Sequence, residues 1–256
     1  MSKSKNLTIE GDHGKLSAII DIPTGMDKYP MVIILHGFSL NKNFYPNKLI
    51  SEQLLNIGIA SIRFDFNGHG ESEGRFQDMT VLNEIEDTKK VFNYVRNLPE
   101  VTSISILGHS QGGVVTSMVA GQLEDKIKCI SLISPAAVLR DDLNNGNVCG
   151  IPFDNKKILD EVPIFNNLKV GKNYILTGLN LPIYETAEKY KGPTCVVHGD
   201  ADKIVPYSYS VKYSKIWKNC ELHIMPGCDH VFTKHEDELC KIILNFFDKI
   251  INGKVK

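Results

Sequence analysis

Short apolar runs rich in β-branched residues alternate along the chain with longer segments in which apolar positions recur every three to four residues. The short runs are Leu7–Ile9, Leu16–Ile22, Met31–Leu35, Ile59–Phe64, Ser103–Leu107, Cys129–Ile133, Thr194–Val197 and Glu221–Ile224. Continuous apolar runs of this length suit strands buried on both faces, and their alternation with helical segments predicts a mostly parallel sheet covered by helices. The first two runs are expected to enter that sheet antiparallel. Val81, Ile85, Val91, Phe92, Val95 and Leu98 form one stripe through Thr80–Leu98, with a weaker place at Thr88, which predicts an amphipathic helix that Pro99 helps to stop.

One interval breaks the rhythm. About sixty residues separate the run ending near Ser134 from the run starting at Thr194, twice what a whole βαβ unit takes. This stretch is rich in Asn, Asp and Gly over Asp141–Gly150 and is punctuated by Pro152, Pro163 and Pro182. A small cap or lid inserted over residues 136–190 is the expectation, because long insertions in compact domains often serve as lids and binding loops. No repeat or linker divides the chain, so residues 1–256 are expected to form one domain.

Charge and composition narrow the class. Twenty-nine Lys and Arg against thirty Asp and Glu leave a net charge of -1, without the basic excess of a nucleic-acid binder or a polybasic membrane anchor. No apolar run approaches the eighteen or so residues of a membrane span, and the first ten residues lack the apolar core of a signal peptide, so the expected compartment is the cytoplasm. The six cysteines include no Cys-x-x-Cys pair and are read mostly as small buried hydrophobes.

The chemistry centres on Gly108-His109-Ser110-Gln111-Gly112, a G-x-S-x-G that follows the run Ser103–Leu107 and precedes the helix-compatible Gly113–Leu123. Strand, tight turn and helix are what a nucleophile elbow requires, with glycines where side chains would strike neighbouring backbone. A serine hydroxyl needs a base, and the base an orienting carboxylate. His230 follows the last predicted strand, and Asp202 lies in the loop leaving the one before it, giving the order Ser110, Asp202, His230. His235 and Asp200 are nearby competitors. Oxyanion donors are expected from the backbone N–H groups of Phe38, in the turn His36-Gly37-Phe38, and of Gln111, with their side chains mattering less. His36 and His109 flank these positions and are expected to make structural hydrogen bonds. His235-Glu236 starts like a zinc motif, but Leu239 stands where its second histidine belongs.

These stretches, with Arg63-Phe-Asp-Phe-Asn-Gly-His-Gly-Glu-Ser72, Ser134-Pro-Ala-Ala137, Leu181-Pro-Ile-Tyr-Glu185 and His198-Gly-Asp-Ala-Asp202, make the chain resemble the α/β-hydrolase superfamily, and within it the bacterial cinnamoyl and feruloyl esterases. The resemblance covers nearly the whole chain and places the acid at Asp202. It implies an eight-stranded twisted sheet, hydrolysis of hydroxycinnamate esters through an acyl-enzyme, no cofactor, and a cap that forms the aromatic pocket. Asp142 and Tyr174 occupy the places expected to meet the phenolic hydroxyls, while Cys149 stands where relatives can carry a polar amide. The expected partner is a small aromatic ester rather than nucleic acid or membrane, with a homodimer left open. The same machinery also serves monoacylglycerol lipases, thioesterases and serine peptidases, and hydrolase folds are occasionally reused as binding modules.

Overall fold

A computed structural model describes residues 3–253 of the chain. The strands β1 (Lys3–Glu10) and β2 (Lys15–Ile22) form the antiparallel entry, and β2 pairs antiparallel with β4 (Ala60–Phe64). From there the sheet is parallel: β3 (Tyr29–Leu35), β5 (Val101–His109), β6 (Ile130–Ile133), β11 (Thr194–Gly199) and β12 (Cys220–Met225) complete eight strands in the order β1-β2-β4-β3-β5-β6-β11-β12.

The period-two geometry of a strand sorts β3 between two cores. Met31, Ile33 and Leu35 face α2 (Val81–Arg96) and α3 (Gln111–Leu123), whereas Val32 and Ile34 face α1 (Tyr45–Leu54) and the C-terminal α8 (Glu236–Asn252). The helix expected over Thr80–Leu98 is α2, one residue shorter at its start and two at its end. Thr80 is its N-cap, and the Thr80 hydroxyl accepts the Asn83 N–H at 3.1 Å.

The long interval between β6 and β11 carries α4 (Val138–Asn144), a hairpin of β7 (Asn147–Val148) and β8 (Ile151–Pro152), a second of β9 (Glu161–Pro163) and β10 (Lys169–Gly171), then α5 (Lys172–Leu179) and α6 (Ile183–Ala187). Its last part packs on the helices of the sheet. A Cβ on Gly121 of α3 would stand 1.9 Å from the Thr186 carbonyl oxygen, so α3 and α6 touch backbone to backbone. Trp217, which follows α7 (Ser208–Ile216), donates to the Ala187 carbonyl at 2.8 Å and stacks on Tyr213, the packing role its sequence suggests. Tyr209 of α7 ties the insertion's other end through Asp141, at 2.7 Å.

Candidate active site

Four loops at the carboxyl edge of the parallel strands build the site, where ligands of open α/β sheets bind. The turn from β5 into α3 places Ser110 at φ 55° and ψ −120°, a conformation that costs a non-glycine residue of order 1–3 kcal/mol and persists only if neighbours enforce it. They do so at both ends. The Ser110 N–H donates to the Ile133 carbonyl at 2.8 Å, and its carbonyl accepts from Gly113 and Ala136 at 2.9 and 3.0 Å. The flanking glycines are obligatory: a Cβ on Gly108 would lie 2.1 Å from the Gly112 oxygen, and one on Gly112 would lie 2.4 Å from the His36 oxygen. Ser105, earlier on the same strand, is buried beside Cys129 Sγ at 3.2 Å and belongs to the core.

Ser110 Oγ lies 2.9 Å from His230 Nε2, and His230 Nδ1 lies 2.6 Å from Asp202 Oδ2. The carboxylate requires a proton on Nδ1, which leaves Nε2 as an acceptor facing the serine hydroxyl. Asp202 is itself held by four donors. Its Oδ1 accepts the Ile204 and Val205 N–H groups at 2.8 and 2.9 Å, and its Oδ2 also meets His198 Nε2 at 3.0 Å. Burial opposes ionisation of Asp202, but the hydrogen bonds from His198 and His230, the His230 charge and the Val205 N–H outweigh it and hold the carboxyl well below the usual range. His198 Nε2 faces two acceptors, Asp202 and the Val205 carbonyl at 2.9 Å, so it carries the proton, and Nδ1 accepts from Ser210 at 2.6 Å. This second histidine on the acid was missed from sequence because only the fold brings Ser210 and Val205 around it.

The competitors lie elsewhere. His235 stands half-buried at the start of α8, 3.6 Å from Glu238, and Asp200 shapes its turn by accepting the Gly227 N–H at 2.6 Å. His36 and His109 make the structural bonds expected of them. His36 Nδ1 donates to the Gly37 carbonyl at 2.8 Å while Nε2 accepts the Phe66 N–H at 3.2 Å, fixing the turn before Phe38. His109 Nε2 donates to the His230 carbonyl at 3.0 Å, bracing the His230 loop. Burial, aided by the like charge of His230, pushes His109 down to about 3, so it stays neutral.

The backbone N–H groups of Phe38 and Gln111 have no hydrogen-bond partner among the described residues. The side chains of both are engaged in packing and hydrogen bonds of their own. The Phe38 ring packs with Phe76, Tyr174 and Phe165 at centroid distances of 5.3, 5.7 and 6.2 Å. The Gln111 amide joins Glu84 of α2 to the Tyr174 hydroxyl.

Ser110 and His230 open onto a cavity of about 660 Å³, whose wall includes Phe38, Leu139, Leu143, Phe165, Tyr174 and Val205. Asp142 and Cys149 reach the same cavity from the insertion. Burial, with the neighbouring Asp141 charge, raises the Asp142 carboxyl above its ordinary value.

A sheet of this order with such an elbow and a serine–histidine–aspartate chain defines an α/β-hydrolase-fold serine hydrolase. Residues 27–178 match the family model Hydrolase_4, described as serine aminopeptidase, S33, and the chain belongs to that family. Among solved structures it is similar to Est1E from Butyrivibrio proteoclasticus with ferulic acid bound, at a TM-score of 0.93 and 34% identity over 96% of this chain and 99% of that one. A second structure of Est1E gives a TM-score of 0.89 at 32% identity, over the same shares of the two chains. More distant is a monoacylglycerol lipase of Mycolicibacterium smegmatis, 23% identical over 255 residues, covering 88% of this chain and 90% of the relative.

Proposed function

We propose that the protein is a carboxylesterase that hydrolyses esters of hydroxycinnamic acids through an acyl-enzyme on Ser110. His230 Nε2 takes the Ser110 proton as Oγ attacks the ester carbonyl, and returns it to the departing alcohol. Asp202 keeps the imidazole in the tautomer that can accept, and its negative charge favours the imidazolium formed on the way. The Phe38 and Gln111 N–H groups serve the oxyanion, whose charge develops only in the tetrahedral state. Water then repeats the sequence on the acyl-enzyme, with His230 as its base.

The observation that carries this reading is the unbroken Ser110–His230–Asp202 chain opening onto an aromatic-walled cavity, in a chain that matches a ferulic acid-bound relative along its length. The cavity volume of about 660 Å³ lies within the range of small-molecule sites. Phe38 meets Phe76 and Phe165 edge to face and Tyr174 at a tilt, an arrangement suited to a flat ring more than to a flexible acyl chain. Asp142 and Tyr174 are the residues we assign to the oxygens on that ring. Six unpaired cysteines support a reducing compartment, and hence the cytoplasm, as the place of work; recovery of native protein chiefly outside intact cells would contradict this.

The test is hydrolysis of methyl ferulate by the purified protein, followed by ultraviolet absorbance beside p-nitrophenyl butyrate and a monoacylglycerol, with Ser110→Ala as control. Turnover of methyl ferulate that disappears in the variant supports the reading. Turnover of the aliphatic esters alone would keep the serine hydrolase and overturn the aromatic substrate.

A further inference from the structure

Beneath the nucleophile turn lies a buried acid with no cation beside it among the described residues. Glu84, in the first turn of α2, is 1% exposed, and both its carboxylate oxygens face one atom, Gln111 Nε2, at 2.9 and 2.8 Å. Neither oxygen has another hydrogen-bond partner among the described residues. Gln111 Oε1 accepts the Tyr174 hydroxyl at 2.7 Å, and Tyr174 lines the cavity. Acid, amide and phenol therefore stand in single file from α2 to the cavity wall.

Two proton arrangements satisfy this file. With Glu84 ionised, the amide N–H donates to the carboxylate and Oε1 takes the phenol hydrogen, so Tyr174 offers the cavity lone pairs only. With Glu84 protonated, its O–H faces an NH₂ group and finds no acceptor. Turning the Gln111 amide about its last torsion removes the conflict: Oε1 accepts the Glu84 O–H, Nε2 donates to the Tyr174 oxygen, and the phenol hydrogen is released toward the cavity.

We propose that Glu84 is a positioning and specificity residue whose protonation decides, through the Gln111 amide, whether Tyr174 accepts from or donates to a ring oxygen of the bound ester. The proposal rests on the aromatic-ester reading above. Burial, opposed by the Gln111 hydrogen bond and aided by the Asp87 charge, pushes the Glu84 carboxyl up to about 8, which brings the exchange into the range of ordinary assays. The ionisable groups facing the file are Asp87 on α2 itself, pushed up to about 6 by its own burial, and Asp142 and Cys149 from the insertion beside Tyr174. All are acids. The strands under α2 meet it with apolar side chains such as Ile9, Ile33, Leu35 and Ile106.

A ring methoxy group can only accept, so it distinguishes the two states. Methyl dimethoxycinnamate and methyl cinnamate have no ionising ring group, and the second has no ring oxygen. The ratio of their kcat/KM values cancels the titration of the catalytic groups and reports the ring-oxygen contact. In the wild type this ratio should fall about fourfold between about pH 6.5 and about pH 9, since a hydrogen bond of about 1 kcal/mol is worth about fivefold and about a tenth of Glu84 keeps its proton at the upper end, and the fall should appear in KM. It should be flat in Glu84→Gln, which cannot ionise, and in Tyr174→Phe. A flat wild-type ratio with both esters turned over would overturn the proposal and leave the esterase reading standing. A slope that persists in either variant would overturn it too, by assigning the titration elsewhere. Failure to turn over either ester would refute the esterase reading, and this proposal with it.

Discussion

Replacing Asp202 with asparagine keeps the shape of the site and removes one acceptor atom. Four donors converge on the carboxylate: His230 and His198 on Oδ2, and the Ile204 and Val205 N–H groups on Oδ1. An asparagine has one oxygen and must choose a side. With its oxygen toward the histidines, both loop N–H groups lose their acceptor, and a buried donor left unpaired costs about 1–3 kcal/mol. With its NH₂ toward them, His198 keeps the Val205 carbonyl at 2.9 Å, and only His230 must adapt. The second orientation therefore wins. His230 Nδ1 is then forced to accept, its proton moves to Nε2, and that proton points at Ser110 Oγ, 2.9 Å away. A histidine so arranged cannot serve as base, and kcat for methyl ferulate should fall about 10⁴-fold. The structural cost of about 1–2 kcal/mol should lower the thermal midpoint by only about 2–8 °C. Steady-state turnover and thermal unfolding of the same preparation measure both. A folded variant within tenfold of wild type would refute the reasoning that Asp202 sets the tautomer.

Other consequences concern packing and protons. Gly108→Ala would set a Cβ 2.1 Å from the Gly112 oxygen and 2.3 Å from Thr116 Oγ1; a loss above about 4 kcal/mol, read as a thermal midpoint at least about 8 °C lower or as insoluble protein, is expected, and an unchanged midpoint would contradict the close packing of the elbow. His109 is held down to about 3 in the folded chain, whereas the unfolded chain takes up its proton near the ordinary histidine value, so this stability is present at neutral pH and lost as pH falls from about 6.5 toward 3. The depressed Asp202 adds a further loss below about pH 4. A difference in thermal midpoint between wild type and His109→Gln that does not change between about pH 7 and about pH 4 would contradict the first sign, and one between wild type and Asp202→Asn that does not change below about pH 4 the second. Glu84 acts in the opposite sense. Its folded value of about 8 lies above the ordinary one, so its burial destabilises increasingly as pH rises from about 4.5 to about 8, and Glu84→Gln should gain stability over wild type across that window. An equal difference at both ends would show that Glu84 does not titrate there.

The sheet was legible because its strands are buried on both faces: Met31–Leu35 is continuous hydrophobic sequence, and the structure sends its alternate residues into different cores. The helix α2 was legible from one stripe, with its ends misjudged by a turn-forming Thr80 that caps rather than begins it. The insertion showed as an interval that is too long, but its hairpins of two or three residues per strand carry no period to read, and no local pattern gives the backbone contact of α6 with Gly121. Within the site, Ser110, Asp202 and His230 stood out by motif and chain order, and the structure brings the three within hydrogen-bond reach. His198 did not, since its partners Asp202, Val205 and Ser210 follow it around a loop whose course no local pattern gives. Glu84 left a trace. It falls three residues after Val81 and four before Thr88, on the buried side of α2, and an acid on a buried stripe has to find a partner.

The account stands most directly on a covalent intermediate at Ser110. Mixing the enzyme with methyl ferulate, quenching in acid during turnover and analysing the digest by mass spectrometry should find a feruloyl group on the peptide containing Ser110, absent from Ser110→Ala. Rapid hydrolysis with no acyl group on that peptide under any quench time, or an acyl group on another residue, would contradict it.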